Sequence, residues 1–376
     1  MMRNERSVSE GSGHLAVFLA TSGHSGVDRV MGNLLPAIAE RNIRVDLLHV
    51  KNHGPYIEAD GNLRVIELGT AHAYSSALPL IKYLRKVRPD TLLSDKDRVN
   101  RVAIVASLLS GVPTRIVVRT GTTVSEDLRM RKPLDRLING LSMRHLYKKT
   151  HKVILPSSDA VEDFLKVTHL PEHQVLSVPS PVLTPELIKK ASGNCKHPWL
   201  LDKKVPVVVG IGELSGRKDF ATLIRAFARV RSKRPVRLVI FGEGKQRHSL
   251  EALVASLDLS ESVDLPGFSV NPYPELTRAD LYVHSSTVEG SPVALMEAVS
   301  LGVPSVSTNC PSGPREILQD GRFGPLVGIG DIEAMAAAMI LTLDNPPDRE
   351  FIRKAGRAFT LEESTSAYLR VLGLLE

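Results

Sequence analysis

The sequence predicts two tandem α/β domains, each a parallel sheet covered by helices. Three observations carry that reading. Short apolar runs alternate with stretches of helical spacing along the chain, the pattern of strand–helix–strand units. The pattern restarts at Val205, after a polar stretch punctuated by prolines. The 376 residues are 43% hydrophobic and 24% charged, enough apolar material for two cores. The expected layout is a first domain over 1–183, a linker over 184–204 and a second domain over 205–357. A closing helix within 358–376 is expected to pack back on the first domain.

In the first half, "LAVFLAT" reads as a strand ending near Thr21, followed by the glycine-rich turn "SGHSG" and the helical run "VDRVMGNLLPAIAERN". "RVDLLHV" and "LRVIEL" are the next strands, and "ALPLIKYLRKVRP" is a helix stopped by Pro89. "TLLS" is a strand, "NRVAIVASLLSG" a helix ending at a glycine, and "TRIVVRT" a strand. "LDRLINGLSMRHLYKKT" is a longer helix, "KVILPS" a strand and "SDAVEDFLKV" a helix. The second half opens with the strand "VPVVVGIGEL", then the amphipathic helix "DFATLIRAFARVRSKRP", then the strand "VRLVIFGEG" meeting a glycine turn. "SLEALVASLDL", "SVDLPGF", "PYPELTRA" and "DLYVHSS" read as helix, strand, short helix and strand. "PSVST" is a further strand, "GPREIL" a helical turn, and "DIEAMAAAMILTLDN" and "DREFIRKAGRAF" closing helices. Such domains bind ligands at the C-terminal ends of their strands, and two facing domains make a cleft.

Two cysteines far apart in sequence, Cys195 and Cys310, give no ground for a disulfide framework or a cysteine zinc site and fit a reducing compartment. The polar N-terminus "MMRNERSVSEGSG" is expected to lack fixed structure. "LAVFLA" is too short for a signal segment, and no run is long enough to cross a bilayer. A net charge of +7 points to an anionic partner.

The chemistry concentrates in "STVEGSPVALMEAVSLGVPS", Ser286 to Ser305, where Glu289 and Glu297 stand in an apolar setting. Pro292 suits the first turn of a helix, so "VEGS" is a loop and "PVALMEAVSLG" a helix ending at Gly302. Eight helical residues would turn by roughly 80° net, so the two carboxylates could address one ligand from adjacent directions. Gly290 admits a ligand close to the backbone, and the helix N-terminus suits an anion. Acceptor-only carboxylates suit sugar hydroxyls, which donate. The plainer alternative is a solvated Glu297 and a loop Glu289. The neighbours Ala294, Leu295, Ala298 and Val299 leave Glu297 little polar face.

"SSTVEGSPVALMEAVSLGVPSVST" resembles the glutamate–x7–glutamate signature of retaining glycosyltransferases of the GT-B fold, family 4. The resemblance runs through "GIGELSGRKDFATLIRAFARV", "LVIFGEGKQRHSLEAL", "VDLPGF" and "NCPSGPREILQDGRFGPLV", and more weakly through "HSGVDRV" and "HKVILPSSDAV". It implies that Glu297 holds the nucleotide ribose and Glu289 the donor sugar hydroxyls, with the backbone amides of Gly290, Ser291 and Val293 facing sugar and phosphates. Lys218 matches the diphosphate-binding lysine. Glu213 stands where the family usually has arginine, and Arg217 is expected to supply that charge. Phe268 and Asn271 match the loop lining the base, and Gly26 matches the first-domain glycine loop that closes on the phosphate. Family members often carry a histidine after "TRIVVRT". This chain has Thr120 and Gly121 there, so no base is assigned.

Asp95-x-Asp97 reads either as a divalent-metal pair or, for Asp97, as a helix N-terminal charge; no metal site is assigned. His24 reads as a solvated loop residue beside the cleft, and Cys310 as a small buried residue. The basic run 129–152 carries Arg129, Arg131, Lys132, Arg136, Arg144, Lys148, Lys149 and Lys152 with few acids, interleaved with Leu, Ile and Met. It reads as a solvated face or as a peripheral contact with an anionic membrane. Nucleic acid is not expected, since aromatic stacking residues are sparse.

The resulting expectation is a retaining, metal-independent, cofactor-free transferase at the cytoplasmic face of a membrane. It would move a sugar from a nucleotide sugar, read as a UDP-sugar, to a glycan or lipid-linked acceptor in bacterial polysaccharide assembly. The competing readings are an epimerase or phosphorylase on the same fold, and a non-catalytic nucleotide-sugar-binding protein.

Overall fold

In the computed structural model, which describes residues 13–23, 25–129 and 131–375, the chain builds two wholly parallel sheets. The polar N-terminus over 1–12 and His24 lie outside the described residues. The first sheet comprises β1 (His14–Phe18), β2 (Arg44–His49), β3 (Leu63–Glu67), β4 (Thr91–Asp95), β5 (Arg115–Arg119), β6 (Lys152–Leu155) and β7 (Val175–Ser177), in the order 3-2-1-4-5-6-7. The second comprises β8 (Val207–Ile211), β9 (Arg237–Phe241), β10 (Val263–Gly267), β11 (Leu281–His284), β12 (Ser305–Thr308) and β13 (Leu326–Val327), in the order 10-9-8-11-12-13. Both orders reverse beside the first strand of the sheet, which opens a crevice at that point.

Strands covered by helices on both faces are apolar throughout rather than alternating. All five residues of β8 are buried, as are all five of β4, where the buried polar groups Thr91, Ser94 and Asp95 find partners. Pro266 sits in β10, a sheet edge, where its missing N–H leaves no ladder partner wanting.

The stretch 184–204 is structured. It carries the helix Pro185–Ala191, capped by Thr184, and buries Leu187, Cys195 and Leu200 in the core of the second domain. The Lys196 N–H donates to Glu275 at 2.7 Å, and Trp199 lies under the Arg237 guanidinium, 4.5 Å from ring centroid to Cζ. The last helix, Leu361–Leu372, inserts Tyr368, Leu369 and Leu372 into the core of the first domain. There the Tyr368 hydroxyl accepts from buried Arg119 at 2.9 Å, and Thr91 donates to the Leu372 carbonyl at 2.9 Å. The two crossings between domains run side by side: Val182 and Leu183 both donate to the Phe359 carbonyl, and Leu361 donates to that of Leu183.

Candidate active site

The loop after β11 and the loop after β8 converge on Glu289. Its carboxylate is 4% exposed and accepts from Lys218 Nζ at 2.6 Å, Arg217 Nη1 at 3.0 Å and Ser286 Oγ at 2.8 Å. Burial by itself would push this carboxyl up; the adjacent Lys218 and Arg217 charges outweigh it and hold the pKa at about 2. Behind it, His284 Nε2 lies 3.7 Å from Glu289 Oε1. Burial, reinforced by the Lys218 charge, depresses this imidazole to about 3, so it is neutral at ordinary pH.

Glu297 lies inside the helix Val293–Ser300 and is 2% exposed, which excludes a solvated helix residue. A single nitrogen, Arg29 Nη1, donates to both of its oxygens at 2.9 Å, and Tyr273 Oη donates to Oε1 at 2.7 Å. Burial pushes the Glu297 carboxyl up and Arg29 opposes it, while the Glu297 charge raises the Arg29 guanidinium. Arg29 belongs to the helix Gly26–Ala39 of the first domain, so this ion pair spans the cleft.

The loop between the glutamates is pressed against the first domain. Gly290 bridges Thr122, and a Cβ there would lie 2.0 Å from the Gly121 carbonyl oxygen. Thr123 Oγ1 donates to the Glu289 carbonyl at 2.7 Å, and Ser291 Oγ is 3.4 Å from Ser180 Oγ. Gly26 faces Val293: a Cβ on the glycine would come 3.1 Å from the valine methyl. A cavity of about 320 Å3 opens beside this contact, walled by Arg29, Asn33, Lys190, Tyr273, Val293 and Glu297.

The structure therefore brings Glu289, Lys218, Arg217, Gly290, Ser291, Val293, Gly26 and Glu297 together. Of the sequence-named residues, Val293 and Glu297 line the cavity beside Arg29; Glu289, Lys218, Arg217, Gly290, Ser291 and Gly26 stand outside its lining, as do Phe268, Asn271 and Glu213. Phe268 is half-exposed and Glu213 exposed, and the Asn271 amide donates to the Lys190 carbonyl at 3.1 Å. Of the motif "GFSVNPY", Tyr273 is the residue that meets Glu297. It and Arg29, in "HSGVDRV", sit inside segments that the sequence singles out, but only the folded chain shows what they touch.

Asp95 and Asp97 are engaged elsewhere: Asp95 pairs with Arg119 and accepts the Lys96 N–H, and Asp97 pairs with Arg101. The basic run has more counter-charge than its sequence suggests, because Arg129 pairs with Glu126 and Arg131 with Asp127, both at 2.7 Å. The helix Pro133–Leu146 nonetheless exposes Leu134, Leu137, Ile138 and Leu141, spaced i, i+3, i+4, i+7. Among the described residues no helix is long and apolar enough to cross a membrane.

Residues 194–359 match the sequence profile of the family described as glycosyl transferases group 1. The chain is a glycosyltransferase. Residues 194–359 form its group 1 domain, which holds Glu289, Glu297, Lys218 and Arg217. A relative from Campylobacter jejuni, the N-acetylgalactosamine-N,N'-diacetylbacillosaminyl-diphospho-undecaprenol 4-alpha-N-acetylgalactosaminyltransferase, is 27% identical over 344 residues, 88% of this chain and 90% of its own. The amylovoran biosynthesis glycosyltransferase AmsD of Erwinia amylovora is 22% identical over 80% of this chain and 82% of its own. Among solved structures, Anabaena HepE in complex with UDP superposes with a TM-score of 0.75 at 16% identity, covering 96% of this chain and all of that one. The lipopolysaccharide outer core galactosyltransferase WaaB, in its apo form, gives 0.70 at 17% identity over 96% and 99%. The glycosyltransferase has the GT-B fold, two facing α/β domains with the clustered glutamates between them.

Proposed function

We propose that this glycosyltransferase moves a sugar from a UDP-sugar, with retention and without a metal, to a glycan or lipid-linked acceptor in bacterial polysaccharide or glycoconjugate assembly. The observation that carries the reading is the pairing of buried Glu289 with Lys218 and with the partly exposed Arg217. Two cations on one carboxylate are a ready counter-charge for a diphosphate. When the donor arrives they turn to the phosphates, and Glu289 is left to accept from sugar hydroxyls. In the transfer step the bond from the anomeric carbon to the diphosphate oxygen breaks, its electron pair leaving on the diphosphate. The acceptor oxygen bonds to that carbon, and its proton passes to the departing phosphate oxygen.

The acceptor is assigned to the first domain. A cavity of about 570 Å3 there is lined by Tyr74, Lys96, Arg98, Thr120, Gly121 and Thr122, and the last two abut Gly290. The UDP moiety is supported by the UDP-bound relative of the same fold, and the pathway by the relatives' names. The apolar stripe of Pro133–Leu146 and nearby Lys148 and Lys149 fit a peripheral seat on anionic lipid.

A screen of labelled nucleotide sugars for hydrolysis or transfer tests the reading. A UDP-sugar should be turned over in the presence of a chelator, and Glu289→Gln should lower that turnover at least about tenfold. Turnover of no nucleotide sugar, or turnover by Glu289→Gln at the wild-type rate, would overturn it.

A further inference from the structure

We infer that Arg29 is a nucleotide-site residue supplied by the first domain, completing the ribose-binding carboxylate of Glu297 only when the two domains are together. The inference rests on the donor reading proposed above and adds to it a coupling between nucleotide binding and closure. Glu297 sits on a helix whose neighbouring residues, Leu295, Met296, Ala298 and Val299, are all buried and apolar. An ionised carboxylate in such a place needs a cation or it takes up a proton. Its own domain gives it the neutral hydroxyl of Tyr273 and the more distant charge of Lys190 on the same cavity wall; among the described residues the cation that ion-pairs with it is Arg29, from across the cleft.

The acceptor count leaves room for a ligand. Oε1 accepts from both Arg29 and Tyr273, whereas Oε2 accepts from Arg29 alone. One lone-pair position on Oε2 remains for a hydroxyl donor. The cavity of about 320 Å3 that both residues line is of a size for a nucleoside, and its walls come from both domains. If the domains part, Glu297 loses its ion-pair partner and becomes a weaker acceptor for a ribose hydroxyl. Binding of the nucleotide then favours the closed arrangement, because only that arrangement offers the full site. Arg29 acts here as a positioning residue, through Glu297.

Calorimetry of UDP and of uridine binding to the full chain tests this, using Arg29→Met, Arg29→Lys, Glu297→Gln and the double variant Arg29→Met/Glu297→Gln. Arg29→Met should weaken both ligands alike by at least about tenfold, the scale of a lost charge-assisted hydrogen bond. Arg29→Lys should stay within about threefold of wild type, because one nitrogen makes both contacts and a lysine ammonium can replace it. The double variant should bind no more weakly than Glu297→Gln, since one interaction is removed twice. Should Arg29→Met fail to fold, Arg29→Gln, a neutral donor, takes its place in the cycle. Wild-type affinity in Arg29→Met beside a weakened Glu297→Gln would overturn the inference and leave the donor reading standing. Additive losses, or a lysine variant as weak as the methionine one, would also overturn it. Glu297→Gln binding both ligands like wild type would remove the ribose assignment itself.

Discussion

Gly290 is the point where a single side chain would part the two domains. A Cβ there would meet the Gly121 carbonyl oxygen at 2.0 Å and Thr122 Cα at 2.5 Å, and both are backbone atoms that cannot turn aside. Gly290→Ala should therefore cost about 1–3 kcal/mol of stability, the usual penalty of overpacking, and lower transfer sharply. Unchanged melting and unchanged turnover would mean that the domains do not meet at this residue. His284 makes a second prediction at this scale. Its folded pKa of about 3 lies below the ordinary 6.5, so its contribution to stability is full above pH 6.5 and is lost as pH falls toward 3. Glu289, at about 2 against 4.5, begins to lose its contribution only below 4.5. Between pH 6.5 and 4.5 the imidazole is therefore read apart from the carboxylate. Denaturant midpoints in that window should fall more steeply for wild type than for His284→Asn, by up to about 1.4 kcal/mol per pH unit. Equal slopes would contradict the depressed imidazole. The glutamate pair was legible in the sequence because two carboxylates in an apolar helix–loop junction need a reason. Their partners were less so: Arg29 stands 268 positions from Glu297, and no local spacing joins them.

At the scale of elements, long apolar strands and amphipathic helices were legible because strands buried on both faces leave no polar alternation to mistake. β7 and β13, of three and two residues, carry too little pattern to be read. The segment 184–204 reads as polar and proline-broken, yet three buried side chains fix it to the second domain. Phe268, Asn271 and Glu213 were named by their place in motifs, and the fold sets the Asn271 amide on the Lys190 carbonyl. The helix Pro133–Leu146 carries its own prediction. Its exposed leucines and isoleucine make no core, so changing them should leave the fold alone. Each cation near an anionic surface contributes about 1 kcal/mol, fading over a Debye length. The protein should sediment with anionic vesicles at low salt and stay free with neutral ones. Leu137→Ser/Ile138→Ser with Lys148→Gln/Lys149→Gln should release it while donor hydrolysis continues. Absence of vesicle binding at low salt would make this an ordinary solvated face.

At the scale of the whole molecule, the domains are joined by two adjacent crossings at 182–183 and 359–361, and by the contacts of Arg29, Thr122, Thr123 and Ser158 with the second domain. The proposed donor reading gives the charge of a leaving diphosphate to Lys218 and Arg217, and Lys218 is the better buried of the two cations on Glu289. The most direct test of that claim is calorimetry of UDP against uridine on Lys218→Met. The account predicts that UDP affinity falls at least about tenfold while uridine affinity hardly changes, because only the diphosphate needs the lysine. Equal losses for the two ligands, or no loss for either, would contradict it.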